Sequence, residues 1–280
     1  MIVPCRNVGD TLGDQLDALT RQSWSGGWEI VVVDNGSTDD TRAIADDFAR
    51  RCPILRVESA TSGIGVSYVR NAGARASTAA AVAFCDGDDV VGDGWVAAIG
   101  TAVQRHALVT GPLDVWSLNE PALARSRGTR SVDELPRFGG TPFARGNNCG
   151  LQRSVFDRLE GFDERYRGLE DIELSLRAAA LGCEVVFVPD ALVSYRYRDR
   201  PGALWRQGIF YGSSVPALAV RARRLGLPAP ARFSGLRSWA WLLVHLGGLA
   251  RRDGRLAWVW VLANRVGVLV GSVRSRTLYV

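Results

Sequence analysis

Three aspartates fall within four positions of the segment AFCDGDDVVGDGW: Asp86, Asp88 and Asp89. At neutral pH they repel one another, so either a cation sits among them or the stretch is only an acidic βα turn. Two carboxylates in D-x-D spacing on a tight turn can face one divalent ion, and Gly87 between them lets a ligand approach closely. A hard ion such as Mg²⁺ or Mn²⁺ takes one or two carboxylates and completes its shell with phosphate oxygens and water. Three other stretches carry comparable potential. In VVVDNGSTDDT, Asp34 can accept hydrogen bonds from a nucleobase or ribose, although the same residues suit an Asx turn before a helix. In YVRNAG, Arg70 can neutralise a phosphate or simply be a surface arginine. In GLEDIELSLR, Glu170 and Asp171 open a helix, where the dipole favours acids in any protein, or present a general base to a cleft. Spacing alone does not choose between these readings.

The elements around these residues say where they must lie. MIVP, WEIVVVD, ILRVE, AAVAFCD and ALVTGPL read as strands, and the unbroken β-branched run of the second suits a strand buried on both faces. Between them lie helical patterns: DTLGDQLDALTRQS with Leu12, Leu16 and Leu19 on one face, GSTDDTRAIADDFARR with acids in its first turn, GVSYVRNAGARAS, and WVAAIGTAVQRH. Strands alternating with helices of about a dozen residues imply a parallel sheet flanked by helices. Ligands of such sheets bind beyond the carboxyl ends of the strands, where Asp34 and Asp86 both fall. Residues 114–145 have weak periodicity and read as a long loop over that edge. SVFDRLEGF is a short helix and EVVFVPD a last strand. LEDIELSLRAAALG is a clear helix with Ile172, Leu176 and Ala180 on one face, Glu173 placed to pair with Arg177, and Gly182 at the C′ position.

Composition narrows the class. The 280 residues include 47% hydrophobic types, enough for a sizeable core. Five cysteines, Cys5, Cys52, Cys85, Cys149 and Cys183, are widely spaced and form no C-x-x-C pair. That argues against a disulfide framework or a zinc site and fits a reducing compartment. No secretory leader precedes the first strand pattern, so a cytoplasmic location is expected. All 34 basic residues are arginine. Residues 1–200 hold 22 Arg against 28 acids, whereas residues 201–280 hold 12 Arg against Asp253 alone and five of the nine tryptophans.

Taken in order, IVPCRN, VVVDNGSTDDT, VRNAG, FCDGDD and GNNCG…EGFDERY…LEDIELSLRAAALG resemble the family 2 inverting glycosyltransferases of the GT-A fold, over roughly residues 1–200. The resemblance implies an α/β catalytic domain with a mostly parallel sheet and a nucleotide-sugar donor. On that implication Pro4, Arg6, Asn7, Asp34 and Asn35 hold base and ribose, and Arg70 lines the nucleotide site. Asp88 would ligate Mg²⁺ or Mn²⁺ directly, with Asp86 near metal and ribose. Asp171 would be the base, with Glu170 supporting it or touching the acceptor, and Asn147 and Asn148 would flank sugar and acceptor. A metal-neutralised diphosphate is a good leaving group, and one carboxylate suffices to take the acceptor proton as it attacks with inversion. One departure stands out. Many relatives carry a histidine after the last strand, where this chain has Tyr195, Arg196, Tyr197 and Arg198; its two histidines, His106 and His245, lie elsewhere.

The remainder, 201–280, reads as a helical extension. Its longest uncharged run in the last apolar stretch, between Arg255 and Arg265, is nine residues, short of the about 20 apolar residues that span a bilayer. Helices lying at the membrane interface are expected, with Trp at headgroup depth and Arg on anionic lipid. The alternative is a helical subdomain packed on the core or on a second subunit, which would make a homodimer. Membrane contact would favour a lipid-linked or cell-envelope glycan acceptor at the inner face of the plasma membrane. Nucleic acid is not an expected partner, because the first 200 residues are acidic. Two competing functions are a sugar nucleotidyltransferase, for which PCRNVGDTLG is a poor phosphate loop, and a catalytically degenerate membrane scaffold.

Overall fold

The computed structural model describes residues 1–127 and 134–280. In chain order it begins with β1 (Ile2–Cys5), α1 (Gly9–Thr20), β2 (Ile30–Asp34), α2 (Thr41–Arg51), β3 (Leu55–Ser59), α3 (Val66–Ala76) and β4 (Ala81–Cys85). Next come β5 (Val90–Val91), α4 (Trp95–Val103), β6 (Leu108–Thr110), β7 (Leu113–Asp114), α5 (Pro121–Ser126), β8 (Arg137–Phe138) and β9 (Thr141–Pro142). The chain continues through β10 (Asn148–Gln152), α6 (Arg153–Arg158), α7 (Glu170–Ala180), β11 (Val185–Phe187) and β12 (Val193–Ser194). It ends in α8 (Pro201–Arg224), α9 (Leu236–Val244), a 3₁₀ turn (Leu246–Ala250) and α10 (Arg252–Arg274). Two compact units result: one of Met1–Asp114, 134–136 and Pro142–Tyr195, the other of 115–127, Arg137–Thr141 and Arg196–Val280.

The first unit is built on a seven-stranded sheet in the order β11-β6-β10-β4-β1-β2-β3. Every pairing in it is parallel except the two made by β10, which runs antiparallel to β4 and β6. Ile30 to Val33 are fully buried, as a strand covered on both faces requires. Leu12, Leu16 and Leu19 are likewise closed to solvent and seat α1 on the sheet. A second sheet, β5-β12-β7, sits beyond it in the same unit.

Four sequence readings change. β10, the sequence NCGLQ, lacks β-branched residues and contains a glycine, so no strand is expected there. Packing makes it one: a Cβ on Gly150 would lie 2.7 Å from Ile99 Cγ2 and 2.8 Å from Val103 Cγ1, so only glycine lets α4 close on the sheet. The expected loop over 114–145 contains β7, α5, β8 and β9; its residues 128–133 lie outside the described residues. The acids before α2 precede it rather than filling its first turn. Asp39 accepts from the amides of both Gly9 (3.0 Å) and Thr41 (3.1 Å), so one carboxylate holds the starts of two helices. In α7 Ile172 and Leu176 are buried as expected, but Ala180 is exposed and Ala178 takes the inner position.

The second unit is mainly helical. α8 and α10 approach so closely that a Cβ on Gly212 would lie 2.2 Å from the Asn264 carbonyl oxygen, and one on Gly267 2.4 Å from that of Ile209. Leu123, Leu204 and Leu256 form its small core, and Arg127 stacks 3.3 Å above the Trp260 ring. All five tryptophans of residues 201–280 are half-buried rather than presented outward.

Candidate active site

The site assembles where β1, β2 and β4 end. β4 delivers Asp86, Asp88 and Asp89, whose carboxylate oxygens lie within 4.8 Å of one another. The turn that carries them is gripped from α1. Gln15, wholly buried, donates through Nε2 to the Asp86 carbonyl (2.8 Å) and accepts from the Val91 amide (3.0 Å). Gln22, just past the C-terminal end of α1, holds the Gly92 carbonyl (3.0 Å) and the Val96 amide (3.1 Å). Gly87 is required on this path, because a Cβ there would meet Cys5 Sγ at 2.9 Å.

The VRNAG motif divides its labour over one helix. Gly73 lets α3 close on the sheet, since a Cβ would meet Ile2 Cγ2 at 2.5 Å and Val33 Cγ2 at 2.8 Å. Asn71 brackets the turn after α6: Nδ2 donates to the Phe162 carbonyl (2.8 Å), and Oδ1 accepts from the Phe162 amide (2.8 Å). Arg70 points between acids from two other elements. Its Nη2 donates to Asp86 Oδ1 (2.8 Å) and its Nη1 to Glu170 Oε1 (2.7 Å), with the side chain only 3% exposed. Burial lowers the arginine pKa, but the Asp86 and Glu170 carboxylates outweigh it and the net shift is upward.

α7 opens beside this pair. Burial pushes Glu170 up to about 7 against the pull of Arg70, and the neighbouring Asp171 charge adds to the rise. Asp171 is also raised by burial, opposed by the amide of Gly146 and the Arg70 charge. Gly146 N donates to Asp171 Oδ2 (2.9 Å), and Ile172 N to Oδ1 (2.8 Å). A half-buried carboxylate held by two amides, with its proton affinity raised, is placed to take a proton from a bound alcohol.

The three residues 146–148 face three ways. Gly146 holds Asp171. Asn147 donates through Nδ2 to Asp89 Oδ2 (2.7 Å). Asn148 is fully buried and committed to the scaffold: Nδ2 donates to the Pro112 (2.9 Å) and Ala191 (2.8 Å) carbonyls, and Oδ1 accepts from Trp95 Nε1 (2.8 Å). At the edge, Asp34 Oδ1 accepts from Ser37 Oγ (2.5 Å) and Ser37 N (3.1 Å), the bonds of an Asx-type turn. Asn35 Nδ2 binds the Gly63 carbonyl (2.8 Å) and that of Ala60. Asn7, in the left-handed region at φ 52°, accepts from Thr38 N (2.8 Å). Arg6 is exposed and Pro4 half-buried on β1.

The structure thus joins Arg70, Asp86, Glu170 and Asp171 through direct bonds or chain adjacency, with Asp88 in the same aspartate cluster. At the neighbouring strand ends Asp34 and Asn7 are linked through the Ser37 hydroxyl, and Asn35 is tied separately to the 60–63 turn. Gln15 and Gly146 escape sequence reading, because neither a helical glutamine nor a loop glycine signals its partner. The donor set is all carboxylate oxygen, half-buried at Asp86 and Asp88, and fits a hard divalent ion. A mostly apolar cavity of about 400 Å³, lined in part by Trp24, Trp28 and Trp95, lies at the opposite sheet end, where β1, β2 and β4 begin. Cys5, Cys85 and Cys149 are buried with thiols pushed up by that burial, Cys149 to about 12, so none supplies a thiolate.

The family described as "Glycosyl transferase family 2" matches residues 1–160, and "Glycosyl transferase family group 2" matches residues 81–271. The chain is 27% identical over 262 residues to the pre-mycofactocin glycosyltransferase of Mycobacterium tuberculosis, covering 90% of this chain and 53% of that protein. It therefore spans about half the length of that relative. Its fold matches a mannosyltransferase from Pyrobaculum calidifontis solved with GDP-Man and Mn²⁺, with a TM-score of 0.66, 20% identity, and coverage of 96% of this chain and 86% of that one. It also matches glucosyl-3-phosphoglycerate synthase from Mycobacterium tuberculosis, solved with Mn²⁺, UDP and glucosyl-3-phosphoglycerate, at a TM-score of 0.56, 19% identity, and coverage of 81% and 79%. The sheet with its flanking helices is a GT-A fold, and the chain belongs to glycosyl transferase family 2.

Proposed function

We propose that this chain transfers a sugar from a nucleotide-diphospho-sugar to an acceptor hydroxyl, with inversion at the anomeric carbon. The observation that carries the reading is the chain Asp86–Arg70–Glu170, which ties the acidic turn to the start of α7 through two bonds of 2.8 and 2.7 Å. A donor-binding group and a base must lie side by side for direct displacement, and this link supports such an arrangement. Asp171 takes the acceptor's proton as the acceptor oxygen bonds to the anomeric carbon. The bond from that carbon to the diphosphate breaks, and the nucleoside diphosphate leaves. Burial keeps Asp171 a stronger base than an exposed aspartate, while Gly146 fixes its aim.

Asp88 and Asp86 would hold Mg²⁺ or Mn²⁺, which when bound supplies charge to stabilise the departing diphosphate. Asn147 steadies the cluster through Asp89. Asp34, Asn35, Asn7, Arg6 and Pro4 would meet the base and ribose, and relatives of the same fold that were solved with GDP-Man or UDP support a nucleotide donor. The basic C-terminal segment supports a lipid-linked or cell-envelope acceptor, met at the inner face of the plasma membrane.

Thermal-shift screening of nucleotide-sugars with Mn²⁺ identifies the donor, because a ligand that binds only the folded state raises the melting point. Proton NMR of the product then reads the anomer. An inverted product that disappears with Asp171→Asn supports the reading; retention of configuration, or turnover unaffected by that change, overturns it.

A further inference from the structure

The second unit presents an apolar surface that its own core leaves uncovered. Of the 14 large hydrophobic side chains that are exposed among the described residues, nine fall between Phe210 and Leu278. They concentrate on α9 and its flanks. Leu236, Ala240, Leu243 and Val244 recur at spacings of four, three and one, which places them on one side of the helix, and all are exposed. Leu243 and Val244 are 72% and 78% exposed, and Phe233 and Leu246 extend the patch at 59% and 50%. The inner side is occupied elsewhere: Leu242 is buried, and its carbonyl accepts from Trp258 Nε1 (3.0 Å). A helix of a monomeric soluble protein turns its apolar stripe inward; α9 turns a second one to solvent, and exposed apolar patches of this kind mark docking surfaces.

Charge identifies the occupant. Residues 232–255 carry five arginines, at 232, 237, 251, 252 and 255, against Asp253 alone. Arg232 and Arg237 are exposed beside the apolar stripe. A second copy of the chain would bring the same positive field against itself, whereas an anionic bilayer is complementary to both the charge and the apolar row. Spanning is the weaker alternative. α10 is long and apolar enough by length and composition, but it carries Arg255 and Arg265 and packs along α8, which is not.

We infer that the α9 face is a docking surface for an anionic lipid bilayer: Leu236, Leu243 and Val244 enter the acyl boundary, while Arg232 and Arg237 lie on phosphate headgroups. The leucine and valine row makes the apolar contact, and the tryptophans stay half inside the unit.

The full chain is sedimented with phosphatidylcholine vesicles and with the same vesicles doped with phosphatidylglycerol, at low and high salt. Binding to the doped vesicles only, weakened by salt, is expected. L243D/V244D, which puts charge into the apolar contact, and R232E/R237E, which reverses the charge facing the headgroups, should each weaken it by about tenfold or more. Circular dichroism checks the fold, and the arginine pair gives the same readout if the aspartate pair fails to fold. Equal binding to neutral vesicles, or binding that neither pair changes, overturns the inference. So does a dimer in light scattering that L243D/V244D splits while vesicle binding is absent, because the face would then join two copies. Vesicle binding is read without donor or acceptor, so its failure leaves the transferase reading standing.

Discussion

Arg70 on α3 and Glu170 at the start of α7 meet at 2.7 Å although 100 residues separate them in the chain. Both side chains are almost closed to water, at 3% and 10% exposure. The second arm of the same guanidinium reaches Asp86, 2.8 Å away at the end of β4. A planar fork with fixed donors suits this task better than a flexible ammonium, because it sets two carboxylates at defined angles at once. The arginine is therefore as much a brace between the acidic turn and α7 as a charge.

Removing the brace strips the partner from Glu170, which is 10% exposed, and from the half-buried Asp86. Arg70→Met should destabilise the fold by about 3–5 kcal/mol, the usual cost of stripping one partner from a buried pair. Urea denaturation measures it. The double variant Arg70→Met/Glu170→Gln should lose less than the two single losses added together, because one stranded charge is gone. A loss below about 1 kcal/mol would assign the arginine to ligand binding alone.

Asp171→Asn should lower turnover by about 10²–10⁴-fold, the range for removing a general base, with donor affinity kept; the melting point should fall modestly, because asparagine offers one acceptor oxygen to the two amides that Asp171 holds. The pH profile gives an independent reading. Burial raises the Asp171 pKa, so the carboxylate holds its proton to a higher pH than an exposed aspartate would. A base works deprotonated, so kcat/KM should fall as pH drops through that raised value, on an acid limb lying above the ordinary aspartate value of about 3.9. A limb at or below that value contradicts the assignment.

Gln15 and Asn147 touch the acidic turn without belonging to the aspartate cluster. Gln15→Ala frees both ends of the turn at once, and Asn147→Ala removes the Asn147 hydrogen bond from Asp89. Each should weaken Mn²⁺ binding about 10–100-fold, as loss of a supporting hydrogen bond around a metal does. Calorimetric titration with Mn²⁺ alone reads this without turnover. Unchanged affinity in both variants would show that the aspartates keep their places unaided.

Gly73→Ala tests the packing of the helix that carries Arg70. The new methyl would sit 2.5 Å from Ile2 Cγ2 and 2.8 Å from Val33 Cγ2, in a core without slack. Overpacking of this kind costs about 1–3 kcal/mol. Turnover should fall as well, because moving α3 off the sheet shifts Arg70 from both of its acids. Thermal unfolding and a donor-turnover assay check the two effects separately.

Much of the fold could be read from pattern. The β-branched run of β2 and the leucine spacing of α1 are local signals, and each predicts the element it becomes, because burying an apolar row fixes period and face together. The acids at the ends of β2 and β4 are legible for the same reason: the alternation of strands and helices puts those ends on one edge. β10 was not legible. NCGLQ has no strand signature, and its conformation comes from the close approach of α4 and the bonds that Asn148 makes to Pro112, Ala191 and Trp95.

Sequence alone determined which residues could do chemistry and which edge of the sheet would hold them, since side-chain type and hydrophobic period are properties of short stretches. Only the tertiary structure decided what each one faces. It turned Arg70 inward to two acids, gave Asn148 to the scaffold and Asn147 to Asp89, and made Gln15 the clasp of the acidic turn. These choices rest on hydrogen bonds between segments 16 to 100 residues apart. Burial makes an unpaired polar group costly there, so partners are chosen by whatever the folded chain brings within reach, and no local spacing encodes that.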